Sequence, residues 1–131
     1  MITPLTNIIT TFTNEFAPII DKFNIVPLSI AEAYGSKDER VWKPGVYIFW
    51  HKESIIKVGR HLTNSRKRAL EHIRDNTRND MFEMSSLKTS TDPCGVVLIN
   101  CKDLKDYHWA AAIEIYMEDN LSLKIQSKRK G

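Results

Sequence analysis

The sequence has little cysteine, with only Cys94 and Cys101 among its 131 residues. The two flank an apolar run of strand length, and residues seven positions apart on an extended chain lie roughly 23 Å from each other. That separation argues against a disulfide between them. No histidine pair at ligand spacing accompanies them, which also argues against a zinc site. We therefore predict two reduced, structural thiols.

The chain also lacks long apolar segments, since none approaches the roughly 20 residues that span a bilayer. Its N-terminus lacks the charged, apolar and small-residue segments of a secretory signal peptide. We therefore expect no membrane partner, and by default a cytoplasmic protein.

There is no strong excess of one charge, because 19 lysines and arginines oppose 16 acidic residues for a net charge of +3. This balance alone does not indicate a nucleic-acid partner. The cations are nevertheless concentrated in two segments, Arg60, His61, Arg66, Lys67 and Arg68 in the middle of the chain and Lys124, Lys128, Arg129 and Lys130 near its end. Each segment could meet a phosphate backbone. Alternatively, the middle segment is a solvated helix face and the C-terminal segment is a frayed basic tail. For the C-terminal segment we favour the frayed tail.

The length and a hydrophobic content of 42% predict a single domain over residues 1–131 with one real core. Apolar residues at helical spacing predict an amphipathic helix that begins near Thr3 or Pro4 and ends before Pro18. Ser29 and Glu32 have capping-box spacing and predict a short helix that Gly35 ends. Residues 1–42 are thus expected to be an N-terminal helical extension.

The rest of the chain offers three β-rich runs and two helices. Residues 46–50 and 55–58 have hairpin spacing around a loop at 51–54, and the apolar run at 95–101 predicts a central strand. Helices are expected from Asn64 or Ser65 through Arg74, and from Tyr107 to about Asp119 with Asp106 as its cap. Residues 79–93 read as a loop with at most one helical turn. The fold class is therefore α/β, with a small three-stranded, largely antiparallel sheet flanked by helices on both faces.

The sequence Gly45-Val46-Tyr47 opens the first strand of the hairpin, and Lys57-Val58-Gly59 closes the second. With an arginine and a histidine four residues apart in the next helix, this order resembles the GIY-YIG nuclease superfamily over roughly residues 43–127. Lys57 stands where the family usually has a second tyrosine, as in the branch that includes restriction enzymes.

The resemblance implies a role for residues beyond the hairpin. Arg68 and His72 match the helix arginine and histidine, and Glu114 falls where the family has its metal-binding glutamate. Gln126 occupies the place of the family's asparagine. On this basis the implied catalytic residues are Tyr47, Lys57, Arg68, His72 and Glu114. Gln126 from the resemblance, and Arg60, His61, Arg66 and Lys67 from the concentration of cations described above, are the expected nucleic-acid contacts.

Phosphodiester hydrolysis explains why these residue types would be needed. Negative charge builds up on the phosphoryl and leaving oxygens, so the site must supply cations and a deprotonated nucleophile. Arg68 can clamp a phosphate through two donors, and Glu114 can hold Mg²⁺ or Mn²⁺. Tyr47 or Lys57 can accept the proton of the attacking water, and the resemblance favours Tyr47.

Each of these residues also has a plainer interpretation. Tyr47 could be a sheet aromatic with its hydroxyl at the rim, Arg68 could pair with Glu71, and His72 could lie on the surface. The hairpin register supplies a test. A symmetric loop would point Lys57 away from Tyr47, whereas an odd-length loop or a bulge would place Lys57 across from Tyr47 on one face, and we predict that shared face.

We therefore expect a metal-dependent endonuclease that hydrolyses phosphodiester bonds in DNA and needs no small-molecule cofactor. The alternatives are a catalytically impaired nucleic-acid-binding domain on the same fold and an interaction module without a nucleic-acid partner. The chain has no obvious second DNA-reading module, so specificity would need a homodimer, the N-terminal helix or the loop at residues 79–93.

Overall fold

The structure is a computed structural model that describes residues 2–126. Its helices are α1 (Pro4–Phe16), α2 (Ile30–Gly35), α3 (Ser65–Arg74) and α4 (Trp109–Asn120), and its strands are β1 (Phe23–Leu28), β2 (Gly45–His51), β3 (Ser54–His61) and β4 (Cys94–Cys101). Short 3-10 helices lie at Ala17–Lys22, Glu39–Trp42, Met84–Lys88 and Leu104–Asp106. The predicted α/β class is confirmed.

The sheet has four strands in the order β1-β4-β2-β3, so the prediction of three strands was wrong. All three pairings are antiparallel, and β4 lies in the interior as predicted. The strand that was missed, β1, comes from the N-terminal region for which only helices and loops were expected. It is short and contains Pro27. Proline has no backbone N–H to donate to a neighbouring strand, but it is tolerated here because β1 lies at the edge of the sheet.

Helices cover both faces of the sheet, as the two-sided apolar strands predicted. One face packs Val46, Ile48 and Val58 against α1 and α4. The other packs Tyr47 and Phe49 against α2, α3 and the turn Met84–Lys88. Successive residues of β2 therefore enter different cores, because side chains alternate along a strand.

Three of the four helices begin where the sequence predicted. Thr3 accepts a hydrogen bond from the backbone of Thr6 at the start of α1, the Ser29–Glu32 capping box begins α2, and Asn64 caps α3. The fourth prediction was wrong. Asp106 ends a 3-10 helix and forms an ion pair with Lys22 at 3.8 Å, and α4 begins only at Trp109.

The hairpin connection is tighter than predicted. His51 pairs with Ser54, so the turn consists of Lys52 and Glu53 alone, with Lys52 in the left-handed region at φ 53°. The register then shifts between Phe49 and Trp50, which leaves an extra residue in β3. Of the two predicted alternatives, an odd-length loop or a bulge, the structure has the bulge, and it sets which side chains share a face.

Both cysteines are free thiols, as expected. In the part of the chain that the structure describes, every helix is too short or too polar to cross a membrane.

Candidate active site

Tyr47 and His72 meet beneath α3. The phenolic oxygen of Tyr47 lies 2.7 Å from Nε2 of His72, and the ring centroids are 5.5 Å apart. Tyr47 is 1% exposed and His72 is 7% exposed. His72 is therefore not a surface residue, and the Tyr47 hydroxyl is not at an open rim. The two plainer interpretations of these residues were wrong.

The second ring nitrogen of His72 is also engaged, at 2.6 Å from the hydroxyl of Thr77. Thr77 reaches His72 because the chain turns back after α3 through Asn76, which has φ 49°, and the Thr77 backbone N–H donates to the His72 carbonyl at 3.0 Å. Sequence reasoning missed Thr77. The one signal for it was an asparagine just after a helix end, where the left-handed conformation is common.

The strand register decides which side chains share the face with Tyr47. Tyr47 lies opposite Gly59, and Lys57 lies opposite Phe49. Lys57 is therefore on the same face as Tyr47, as predicted, but diagonal to it and not directly across. Lys57 is 9% exposed.

Gly59 makes room for the tyrosine. A Cβ atom at this position would overlap the phenol ring of Tyr47, at its hydroxyl end. The Lys57-Val58-Gly59 motif thus needs a glycine at its last position, because the Tyr47 ring on the neighbouring strand fills the space that a side chain would occupy. Any larger residue would force the hydroxyl away from His72.

A buried polar contact fixes α3 on the sheet. The Ser65 hydroxyl donates to Oδ1 of Asn100 at 2.6 Å, and Nδ2 of Asn100 donates to the Arg40 carbonyl at 2.8 Å. Both side chains are fully buried. Because Ser65 is the first residue of α3 and Asn100 lies in β4, this contact sets where the helix begins and so helps to place His72 over Tyr47.

Glu114 lies on α4 and is ion-paired with Arg60, whose Nη1 donates to its Oε1. The Glu114 side chain is 6% exposed and that of Arg60 is 34% exposed. Arg60 lies opposite Val46, so it points to the face covered by α1 and α4, away from the face of Tyr47. The pairing of Arg60 with Glu114 was not predicted, since residues 54 positions apart carry no periodic signal.

The structure thus brings the predicted site residues together in two groups around the edge strand β3. Tyr47, Lys57 and His72 share one face, and Arg60 and Glu114 share the other. β3 carries a member of each group, because Lys57 and Arg60 are three positions apart and point to opposite faces.

Arg68 makes the local pair that was weighed as its alternative role, with Nη1 at 3.3 Å from Oε1 of Glu71. Its side chain is 40% exposed. Exposed pairs of this kind contribute only about 0–1 kcal/mol, so the guanidinium can be recruited by a phosphate at little cost.

The predicted nucleic-acid contacts lie in different settings. His61 accepts from the backbone N–H groups of Thr63 and Asn64 through Nδ1, which orders the connection to α3. Lys67 is exposed on the first turn of α3, and Arg66 donates to the Ala33 carbonyl at 3.2 Å.

Gln126 is exposed and follows Ile125, whose N–H donates to the Ile56 carbonyl. This contact places Gln126 next to the segment of β3 that carries Lys57. Lys128, Arg129 and Lys130 of the basic tail lie outside the described residues.

In comparisons with known proteins, no family model, no curated protein and no solved structure matches the chain. The resemblance to GIY-YIG nucleases therefore rests on the residues quoted above and stays a prediction.

Proposed function

We propose that this chain is an endonuclease that hydrolyses phosphodiester bonds in DNA, with Tyr47 as the base. The observation that carries the proposal is the buried hydrogen bond of 2.7 Å between Tyr47 and His72. It joins the two residues that the resemblance assigns to the base and the helix histidine. They come from different elements, a strand and a helix, so the contact is not a product of local sequence.

The hydrogen-bond chain gives the Tyr47 proton a place to go. A neutral imidazole has one N–H donor and one acceptor nitrogen. If the phenol donates to Nε2, then Nδ1 carries the proton and donates to the Thr77 hydroxyl, so both ring nitrogens have a partner in this tautomer. Transfer of the phenolic proton to Nε2 leaves a phenolate beside an imidazolium. The phenolate can then accept a proton from the water that attacks phosphorus.

Cations near this face would offset the charge of the transition state. Lys57 shares the face with Tyr47, and Arg68 is held only by an exposed pair with Glu71. The arginine can form two parallel hydrogen bonds to phosphate oxygens, whereas the lysine acts as a point charge. Substrate binding must open a path to Tyr47, because its side chain is buried before the substrate arrives.

The donor set fits a divalent cation only in a limited way. Among residues 2–126 no group of three or more His, Cys, Asp or Glu side chains is placed to hold a metal ion. Mg²⁺ often binds through one or two carboxylates plus water and substrate phosphate, so one carboxylate such as Glu114 is a sufficient protein ligand, but Glu114 lies on the face covered by α1 and α4, opposite the face of Tyr47. Such an ion would stabilise charge on the phosphate oxygens. Arg60 must first release the Glu114 carboxylate.

A catalytically impaired nucleic-acid-binding domain is the second candidate. Two observations favour it. The Glu114 carboxylate is paired with Arg60, and the Tyr47 hydroxyl is buried against His72, so within the protein neither group is open to a metal ion or a substrate. A binding domain would keep the basic residues of β3 and α3 and lose only the hydrolysis.

Nicking of supercoiled plasmid separates the two candidates. The endonuclease predicts nicking that requires Mg²⁺ or Mn²⁺ and that falls roughly 10²-fold to 10⁴-fold in Tyr47→Phe, the usual range for removal of a general base. Glu114→Gln removes the carboxylate that would hold the metal ion, so nicking should be lost even with Mg²⁺ or Mn²⁺ present. Tyr107→Phe is the matched control, because Tyr107 is 48% exposed and lies elsewhere. DNA binding without nicking by the wild-type protein would favour the binding domain.

A further inference from the structure

A basic cleft with a volume of about 620 Å³ lies between α2, α3 and the turn Met84–Lys88. The charged side chains that line it are Arg66, Lys67, Arg74 and Lys88 against the single carboxylate of Glu71. Glu71 is already shared with Arg68 on the same helix. The cleft is therefore a strongly cationic concave surface, and it is suited to an anionic ligand.

Three of the four cations are not neutralised by an acid. Arg74 pairs with Asp75, but among the residues that the structure describes no carboxylate lies within ion-pair distance of Arg66, Lys67 or Lys88. Nε of Arg66 is buried and has no hydrogen-bond partner in that part of the chain. A phosphate would thus meet positive charge that no carboxylate among the described residues neutralises, although Arg66 also donates to the Ala33 carbonyl.

Two exposed aromatic side chains accompany these cations. Tyr34 lines the cleft and is 40% exposed, with Nζ of Lys88 5.5 Å from its ring centroid. Trp42 does not line the cleft but adjoins it through Arg66, whose Cζ lies 5.7 Å from the Trp42 ring centroid, and Trp42 is 44% exposed. Exposed aromatic rings interleaved with cations are the combination that binds single strands, because bases stack on the rings while the cations contact phosphates.

We propose that this cleft binds a single-stranded segment of nucleic acid, with bases against Tyr34 and Trp42 and phosphates against Arg66, Lys67 and Lys88. A duplex is a poorer occupant, because its bases are already stacked on one another and offer no free faces to the rings. The proposal extends the proposed function. α3 carries Arg66 and Lys67 toward the cleft and His72 toward Tyr47, so a bound strand would run beside the candidate site.

The test measures binding without cleavage. A fluorescein-labelled 12-nucleotide single strand and the duplex of the same length are titrated with the full chain in EDTA, and anisotropy is recorded at several salt concentrations. The single strand should bind more tightly than the duplex. Tyr34→Leu, which keeps an apolar side chain but removes the ring, should weaken single-strand binding by roughly 5-fold to 100-fold.

Charge removal supplies a second readout. Lys88→Ala should lower the slope of log affinity against log salt by roughly 0.7, the value for one phosphate contact on a single strand. Tyr107→Leu and Lys105→Ala are matched controls, because both residues are exposed and lie outside the cleft. Thermal unfolding of each variant checks that it is folded.

Wild-type affinity in folded Tyr34→Leu, a preference for the duplex or no binding of either oligonucleotide would overturn the proposal. Because no step needs hydrolysis, the plasmid assay can fail while the cleft still binds single strands. The reverse result, nicking with no single-strand preference, would support the endonuclease and contradict the proposal that the cleft binds a single strand.

Discussion

Tyr47 and His72, 25 positions apart in the chain, are joined by a buried hydrogen bond between the phenol and Nε2. The contact depends on the register of the β2–β3 hairpin, on Gly59 and on the attachment of α3 to β4.

Thr77 is predicted to act as a positioning residue through His72. Thr77→Val removes the hydroxyl at Nδ1 while nearly keeping the shape, so the imidazole loses the hydrogen-bond partner of its second nitrogen. We expect nicking to fall by roughly 10-fold to 100-fold, less than the loss of a general base. The pH profile of the residual activity should also shift, which loss of packing alone would not cause. Thr77→Ser retains the hydroxyl and should retain most of the activity.

Gly59 is predicted to be intolerant of even one methyl group. In Gly59→Ala the new Cβ meets the Tyr47 ring in a fully packed core, and overpacking of this kind costs about 1–3 kcal/mol. Urea unfolding measures the free energy of unfolding. Gly35→Ala is the control, since a Cβ atom there has no neighbour within 4 Å. Equal stabilities of the two variants would show that the Tyr47 ring moves aside freely.

Removal of Arg60 is predicted to expose the cation-binding capacity of Glu114. Arg60→Gln leaves a buried carboxylate without its cation, which should destabilise the protein by about 1–3 kcal/mol, below the 3–5 kcal/mol of a fully buried pair because Arg60 is a third exposed. Mn²⁺ should then raise the unfolding temperature of Arg60→Gln more than that of the wild type, because a ligand that binds only the folded state stabilises it.

The double variant Arg60→Gln/Glu114→Gln is the control for this prediction. It lacks both charges, so it should be more stable than Arg60→Gln alone and should not respond to Mn²⁺. If Mn²⁺ stabilises neither single nor double variant, Glu114 is a structural partner of Arg60 and the metal must be dropped from the proposed mechanism.

Cys101 is predicted to make the stability depend on pH in alkaline solution. Burial raises the pKa of the Cys101 thiol to about 11, whereas an unfolded cysteine titrates near about 8.5. Below the unfolded pKa both states keep the proton and the contribution to stability is complete. As the pH rises from about 8.5 to 11 the unfolded state loses its proton first, so stability falls over this window.

The difference between wild type and Cys101→Ala isolates this effect from other groups that titrate at high pH. Cys101→Ala lowers stability by a constant amount through the lost packing, but it should flatten the decline between pH 8.5 and 11. Cys94→Ala serves for comparison, since burial raises the pKa of Cys94 as well but the residue is only half-buried. Parallel curves for wild type and Cys101→Ala would contradict the prediction.

Local sequence signals were sufficient for most of the secondary structure. The caps at Thr3, Ser29 and Asn64 fixed the starts of three helices, because a side-chain oxygen that satisfies a free backbone N–H acts within three residues. Alternation and apolar runs identified three strands and predicted helices on both faces. A bulge or an odd-length loop was inferred from the requirement that Tyr47 and Lys57 share a face.

The tertiary structure decided what depends on residues far apart in the chain. β1 is a strand because its backbone groups pair with β4, and its short sequence with Pro27 gives little evidence of this. Arg60 meets Glu114 because the edge strand β3 packs beside α4, and Thr77 meets His72 because Asn76 reverses the chain. Sequence patterns record which side of an element is apolar, but not which polar group from a distant element will face it. The composition of the candidate site therefore followed in part from the sequence, and its pairings followed from the fold.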